Sequence, residues 1–180
     1  MTEATVCTAN YGGGRRYETR SSSSSLQTGD SKESYIDSRG AFDVSAYAEN
    51  FWARVATEPS ASAVFPLRLN QSWDFRQAWR ARNVPASRPG DPPPLDSIEI
   101  RGRTTVLAMD EAVTVPMGTF HCVKLSEDRI HRTNQGAQGR LLTTAWYAAG
   151  IGAVKIEEVA TNAAGTACLT RELESVTWIR

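Results

Sequence analysis

The chain has 180 residues, of which 41% are apolar and 22% charged, and these fractions are ordinary for a soluble globular protein. Its length suits one domain with a substantial hydrophobic core, so we predict a single domain over residues 1–180. Basic and acidic residues balance at 20 each, and the net charge therefore favours neither nucleic acid nor an anionic membrane as a partner. No apolar run approaches the roughly 18 residues of a membrane-spanning helix, so no transmembrane segment is predicted.

The first residues and the cysteines bear on the compartment. The N-terminus has neither the basic start nor the apolar run of a signal peptide, which predicts either a cytoplasmic protein or an exported one whose signal was replaced by a start methionine. Three cysteines permit at most one disulfide, and a bridge between Cys7 and Cys168 would tie both ends of the chain to a sheet. Three buried thiols, with Cys122 as the third, fit the sequence equally well.

The first part of the chain is polar. Residues 1–14 are predicted to be an extended segment that ends in flexible glycines. Residues 15–36 follow with the character of an exposed hairpin, and Thr28, Gly29 and Asp30 provide its turn chemistry.

Residues 43–57 are predicted to form a helix. Their apolar residues recur at helical spacing and would lie along one face: Val44, Tyr47, Ala48, Phe51, Trp52 and Val55. Asp43 suits the N-cap position, and Pro59 disfavours continuation of the helix. A helix packed on a sheet is the favoured interpretation, and contact with lipid or with a partner protein is the alternative.

Residues 73–82 alternate between apolar and charged side chains, as a half-buried strand does. Trp73, Phe75 and Trp79 share one face, and the arginines share the other. Stacking and phosphate contacts would therefore not converge, so single-stranded nucleic acid is not favoured as a ligand. The proline-rich residues 85–96 predict an exposed loop, which could offer a polyproline contact to a partner.

Residues 97–178 predict a succession of strands. Turn chemistry separates them at residues 116–118, 134–139 and 150–152, and such short breaks are typical of an antiparallel meander. We therefore predict a mainly β fold, a curved antiparallel sheet or half-open barrel of about nine or ten strands with the one helix packed on it.

Residues that carry common catalytic and metal chemistry are few. His121 and His131 lie ten residues apart, too far to share one ion, and no metal-binding spacing of cysteines, histidines or acidic residues occurs. His121 and Cys122 are neighbours that would point to opposite faces of a strand, which disfavours a nucleophilic Cys–His pair. We therefore predict no catalytic residue, no metal site and no cofactor.

Three passages carry a family resemblance. Residues 65–73 read Phe-Pro-Leu-Arg-Leu-Asn-Gln-Ser-Trp, residues 113–124 read Val-Thr-Val-Pro-Met-Gly-Thr-Phe-His-Cys-Val-Lys, and residues 146–155 read Trp-Tyr-Ala-Ala-Gly-Ile-Gly-Ala-Val-Lys. In this order they resemble a broad group of bacterial exported proteins and lipoproteins, across roughly residues 65–160. That group is associated with the LolA/LolB-like lipoprotein-carrier architecture. The sequence departs from the pattern at Asn70 and Met117, where Gly and Ala are usual.

The resemblance implies a fold, a compartment and a mode of action. The fold is a curved antiparallel sheet around a helix. The compartment is the periplasm or the outer membrane of a Gram-negative bacterium, with the cytoplasm as the alternative. The mode of action is the binding of an apolar molecule on the concave face of the sheet.

The leading hypothesis is a non-enzymatic envelope protein that binds a lipid or another hydrophobic small molecule. The candidate ligand-binding residues are aromatic, and they would equally suit a solid core: Trp73, Phe75, Trp79, Phe120, Trp146 and Tyr147. One alternative is an accessory subunit of an envelope assembly that uses the proline-rich loop or a strand edge. Another is a barrel-type cyclase or isomerase, and a titratable side chain projecting into a pocket would favour it.

Overall fold

The computed structural model describes residues 2–11, 14–23, 26–48, 52–54, 60–81, 90 and 94–172. Most of these residues lie in β-strands, and none of them lies in a helix. Accordingly, these ranges contain no helix with the length and apolar character needed to cross a bilayer. The prediction of a mainly β, antiparallel fold is confirmed.

Twelve strands are found in the described ranges, and every pair whose register is defined runs antiparallel. They are β1 (Thr2–Tyr11), β2 (Gly14–Ser23), β3 (Leu26–Asp37), β4 (Gly40–Ala48), β5 (Trp52–Arg54), β6 (Ser60–Val64), β7 (Ser72–Ala81), β8 (Ser97–Val115), β9 (Gly118–Thr133), β10 (Gln138–Ala148), β11 (Gly152–Asn162) and β12 (Gly165–Glu172).

The chain divides into two compact units, which are described separately. Unit 1 comprises Met1–Pro66, Phe75–Arg101 and His131–Ala137, and unit 2 comprises Leu67–Asp74, Gly102–Ile130 and Gln138–Arg180. Neither unit closes into a barrel within the described residues. The single domain over residues 1–180 stays a prediction.

Unit 1 begins as a meander in which β1, β2, β3 and β4 pair in succession. Strand β4 also pairs with β5 and with β6, and β5 pairs with β7. The turn between β3 and β4 is held by Asp37, whose carboxylate accepts hydrogen bonds from the backbone N–H and the Nε of Arg39 at 2.7 and 2.8 Å. This side chain satisfies donors that a tight turn would otherwise leave unpaired.

The hairpin predicted over residues 15–36 is confirmed as β2 paired with β3. The predicted turn at residues 28–30 is wrong, because β3 already begins at Leu26. The predicted extended segment contains β1. Of the proline-rich loop, Gly90 lies in a turn and residues 94–96 have no regular structure, while the rest lies outside the described residues.

The helix predicted over residues 43–57 is absent where the structure describes that segment. Residues 43–48 belong to β4 and residues 52–54 form β5, and the remaining positions lie outside the described ranges. Strand β4 gains ladder hydrogen bonds from β3 and from β6, and such pairing overrides a local helical pattern. The segment is also rich in Val, Tyr, Phe and Trp, which suit a pleated sheet as well as a helix.

Unit 2 contains the meander predicted for the second half of the chain. Strand β10 pairs with β11, and β11 pairs with β12 through a turn that follows Asn162. Pro116 and Met117 form the turn between β8 and β9, so the predicted break at residues 116–118 is confirmed. The break at residues 150–152 is confirmed too, since Gly150 has a φ of 74° that glycine adopts without strain.

The core of unit 2 lies around Trp146. The buried cluster contains Val113, Val115, Cys122, Trp146, Ala148 and Val154, and Phe120 and Ile151 pack against it. A bulge places one extra residue of β11, Val154, between the partners of Trp146 and Tyr147. Val154 is only 1% exposed, so the bulge fills the core with a side chain that a regular ladder would not direct there.

Candidate functional site

Strand β7 confirms the two faces predicted from its alternating sequence. Its side chains switch between exposed and half-buried at every position from Ser72 to Ala81. Trp79 lies on the half-buried face, and Arg76 and Arg80 lie on the exposed face. The backbone N–H of Ala81 donates to the carbonyl of Asp96 at 2.9 Å and so brings the start of β8 alongside the end of β7.

A cleft of about 290 Å³ lies in unit 1 on residues of β7, β8 and β9. Its lining combines three arginines and one carboxylate with apolar surface: Arg76, Arg80, Arg132, Glu99, Trp79 and Ile98. We call this feature the arginine cleft. The excess of guanidinium groups gives it a positive charge, and guanidinium groups are the side chains best suited to bidentate contact with carboxylates and phosphates.

Asn134 holds one wall of the arginine cleft in place. Its Nδ2 donates to the carbonyl of Pro94 at 2.8 Å, and its backbone N–H donates to the carbonyl of Ser97 at 3.1 Å. The backbone N–H of Asp96 also donates to Oδ1 of Asn134, at 3.2 Å. One side chain therefore ties the residues that precede β8 to the turn after β9.

Glu99 is the only carboxylate among the described residues that line the cleft. Its Oε1 accepts from Nε of Arg101 at 3.0 Å and pairs with Nε of Arg76 at 2.5 Å. The hydrogen bond from Arg101 holds the pKa of the Glu99 carboxyl below its usual range, and the positive charges of both arginines add to that effect. Glu99 is therefore an anion at neutral pH, already engaged with two guanidinium groups.

Two groups in the cleft have unused hydrogen-bonding capacity toward the described residues. Arg80 makes no ion pair with any residue in the described ranges. The indole Nε1 of Trp79 is buried and has no hydrogen-bond partner there. An unpaired buried donor costs about 1–3 kcal/mol, so this indole lowers the stability of the fold.

The six aromatic residues predicted as a ligand-binding face belong to both units, which are described separately. Trp79 lines the arginine cleft, and Phe75 is half-buried on the same face of β7 in unit 1. In unit 2, Phe120 packs against the buried cluster that contains Trp146, Trp73 is half-buried, and Tyr147 is 42% exposed. Phe120 and Trp146 thus contribute to the core of unit 2, whereas Tyr147 is exposed. Their binding role stays a prediction.

Trp146 is held between two lysines in unit 2. Nζ of Lys124 lies 4.8 Å and Nζ of Lys155 lies 5.4 Å from the centre of its ring, within the range of cation–π attraction. Glu111 Oε1 accepts from the indole Nε1 at 2.9 Å and from Lys124 at 3.3 Å. Lys155 pairs with Glu157 and Glu172 at 3.0 and 3.6 Å. We call these residues the lysine–tryptophan cluster, and they cover the core of unit 2.

Glu111 should make the stability of the protein depend on pH. The hydrogen bond from Trp146 holds the pKa of its carboxyl below the usual value of 4.5, and Lys124 adds to this effect. A lowered pKa in the folded state contributes stability above the unfolded-state pKa, and that contribution is lost as the pH falls through the folded-state pKa. The wild type should therefore lose more stability than Glu111→Gln between about pH 5 and pH 3, measured by urea denaturation. A difference that grew at lower pH would contradict this assignment.

The thiols offer no catalytic pair among the described residues. Cys122 is buried, and this burial raises the pKa of its thiol and makes it a weaker nucleophile at neutral pH. Cys168 is free and exposed, and the side chain of Cys7 lies outside the described residues, so their disulfide stays a prediction. In the part of the chain that the structure covers, no three His, Cys, Asp or Glu side chains are placed to hold a metal ion.

Sequence reasoning missed the charged residues of both sites. Arg76 and Arg80 were predicted on the exposed face of β7, which the structure confirms, but not as part of a cleft, and Glu99 and Arg132 were not singled out. The register of β7, β8 and β9 brings them together, and the local pattern of one strand does not contain that register. The lysines carried a usable signal, because only three occur in the chain and two of them lie in the resembling passages.

Comparison with known proteins identifies a family. A family model described as DUF3108-like matches residues 67–166, which is more than half of the chain. The matched residues include β7 to β11 and the lysine–tryptophan cluster except Glu172. No curated protein and no solved structure matches the chain. From the family match, which covers the strands of both features described above, the chain belongs to the DUF3108-like family.

Proposed function

We propose that this chain is a non-enzymatic binding protein of the bacterial cell envelope, and that its arginine cleft takes an amphiphile with an anionic head. The proposal rests on one observation, the set of residues that line the arginine cleft. Arginines 76, 80 and 132 line one cleft together with Trp79 and Ile98. An anionic head pairs with guanidinium groups, Arg80 above all because it makes no ion pair within the described residues, and an attached apolar body covers apolar surface.

The size of the cleft limits how much of a ligand it can enclose. Its volume of about 290 Å³ is at the lower end of the range of about 300–1,000 Å³ that is usual for small-molecule pockets. A two-chain lipid would not fit inside it. The cleft therefore suits the head and the first part of one chain, or a small single-chain amphiphile.

The electrostatics favour binding over catalysis. Glu99 is the titratable acid in the lining, and a general base works best when its pKa lies near the working pH. Arg101 and Arg76 hold the pKa of Glu99 below its usual range, so this carboxylate is a weak base. A cyclase or isomerase that uses Glu99 is accordingly the less favoured function.

The envelope location and a lipid-carrier role rest on the resemblance to exported proteins and lipoproteins with LolA/LolB-like architecture. The envelope location and the carrier role are therefore parts of the proposal. A ligand with a fatty chain and a charged head is the kind of molecule that such a compartment supplies, and the lining of the arginine cleft is compatible with it.

Calorimetric titration with octyl phosphate tests the proposal. We expect wild-type protein to bind octyl phosphate, and Arg80→Ala to bind it about 5-fold more weakly, because one exposed charge-assisted contact contributes about 1 kcal/mol. Octyl glucoside, which has the same chain and a neutral head, and inorganic phosphate, which has no chain, should each bind at least about 10-fold more weakly than octyl phosphate.

Arg68→Ala is the matched control, because Arg68 is exposed, belongs to unit 2 and does not line the cleft. It should bind octyl phosphate as the wild type does. Equal affinity for octyl glucoside and octyl phosphate would show that the anionic head is not recognised. Tight binding that Arg80→Ala leaves unchanged would put the ligand elsewhere, and no binding at millimolar concentration would end the proposal.

A further inference from the structure

Glu99 makes an ion pair with one arginine of the cleft, and an anionic ligand would have to replace this ion pair. Its Oε1 pairs with Nε of Arg76 at 2.5 Å, and Arg76 lines the cleft. The side chain of Glu99 is 31% exposed and that of Arg76 is 69% exposed, so both are accessible from solvent. A carboxylate at this position has the charge and the acceptor geometry of the anionic head proposed above.

We propose that Glu99 is a specificity-determining residue that acts as an internal competitor for the anionic ligand of the arginine cleft. This inference rests on the proposed function and adds the residue that sets its affinity. Glu99 occupies the Nε donor of Arg76. A ligand head gains this contact only by displacing Glu99 or by using the remaining donors of the guanidinium, and the negative charge of Glu99 opposes it in either case.

Arg101 makes the displacement feasible. Its Nε and Nη2 both lie 3.0 Å from Oε1 of Glu99. Arg101 does not line the cleft, so Glu99 keeps a cationic partner when a ligand takes Arg76. The carboxylate is therefore not left as an unpaired charge, which is the usual obstacle to breaking one contact of an ion pair.

The arrangement also predicts which heads are preferred. A monoanionic carboxylate replaces the contact that Glu99 makes with Arg76 by an equivalent contact. The net gain in binding free energy is therefore small. A phosphate monoester carries a charge of about −1.5 to −2 at neutral pH and has three acceptor oxygens. It can therefore make more charge-assisted contacts than a carboxylate can, and we expect it to bind more tightly than a carboxylate of the same chain length.

Titration of Glu99→Gln with octyl phosphate tests this role. The amide keeps the size of the side chain and removes its charge, and we expect octyl phosphate to bind about 3- to 5-fold more tightly, since exposed charge interactions of this kind are modest. Wild-type protein should also bind octyl phosphate more tightly than octanoate, and Glu99→Gln should tighten the binding of both ligands, because it removes the same competitor and the same negative charge for each.

Asp110→Asn is the matched control. Asp110 lies eleven residues from Glu99 along β8 and pairs with His121 on an exposed surface of unit 2, at 2.7 Å, so this variant makes the same change in net charge away from Arg76. It should leave binding unchanged. Against Arg76→Ala alone, the double variant Arg76→Ala/Glu99→Gln should gain less affinity than Glu99→Gln gains over the wild type, since part of the competition acts through Arg76. Circular dichroism establishes that each variant is folded.

The outcomes separate this inference from the proposed function. If Glu99→Gln binds octyl phosphate as the wild type does, or more weakly, while Arg80→Ala still weakens binding, Glu99 is not a competitor and the binding function stands. If Asp110→Asn tightens binding equally, the effect is one of net charge and the inference is overturned. If neither wild type nor Glu99→Gln binds octyl phosphate, both the inference and the proposed function fall.

Discussion

Replacing Trp146 with alanine is expected to lower the free energy of unfolding by about 3–5 kcal/mol, the range for removing a large aromatic side chain from a core. Trp146 is 5% exposed and belongs to the buried cluster of unit 2. The substitution would also remove the donor to Glu111 and the ring between Lys124 and Lys155. Urea denaturation followed by far-ultraviolet circular dichroism measures the loss without depending on tryptophan fluorescence.

Two further variants identify what Trp146 contributes. Trp146→Phe keeps an aromatic ring and loses the hydrogen bond to Glu111, so it should show an intermediate loss of about 1–2 kcal/mol. Tyr147→Ala removes a ring from the next residue, which is 42% exposed, and should lose less than half as much as Trp146→Ala. Equal losses at residues 146 and 147 would contradict the assignment of Trp146 to the core.

The sequence was most informative where a single strand or turn carries its own signal. The alternation of β7 and the breaks at residues 116–118 and 150–152 are local patterns, and the structure has both. The helix over residues 43–57 was predicted from an equally local pattern. It was wrong for β4 because the pairing of β4 with β3 and β6 is not contained in that pattern.

The candidate site could be predicted only in part for a similar reason. Trp79 was among the predicted aromatics because its position on a half-buried face follows from alternation. The cleft, however, also needs Glu99 and Arg132, which belong to β8 and β9 and are far from Trp79 in the sequence. Only the strand register brings such residues together, and a single sequence specifies register weakly in polar, exposed strand faces.

Replacing Gly40 with alanine is expected to destabilise unit 1 by about 2–3 kcal/mol, as overpacking a close backbone contact does. Gly40 is buried and pairs with Val64, so β4 and β6 approach closely there. A Cβ at position 40 would meet the carbonyl oxygen of Ala63 without room for it, and a backbone atom cannot move aside as the end of a side chain can. The strands must therefore separate, and the ladder between them weakens.

A glycine in an ordinary ladder provides the control for this prediction. At Gly139 an added Cβ would lie 3.4 Å from the carbonyl oxygen of Thr161, which is close to an ordinary contact, so Gly139→Ala should change stability little. The effect of Gly40→Ala should also be local. The backbone N–H of Phe65 donates to the carbonyl of Arg39 at 2.7 Å beside the clash, and hydrogen exchange at Phe65 should become faster in Gly40→Ala than in Gly139→Ala. Unchanged exchange at Phe65 together with equal stability of the two variants would mean that β4 and β6 do not approach as closely as the structure has them.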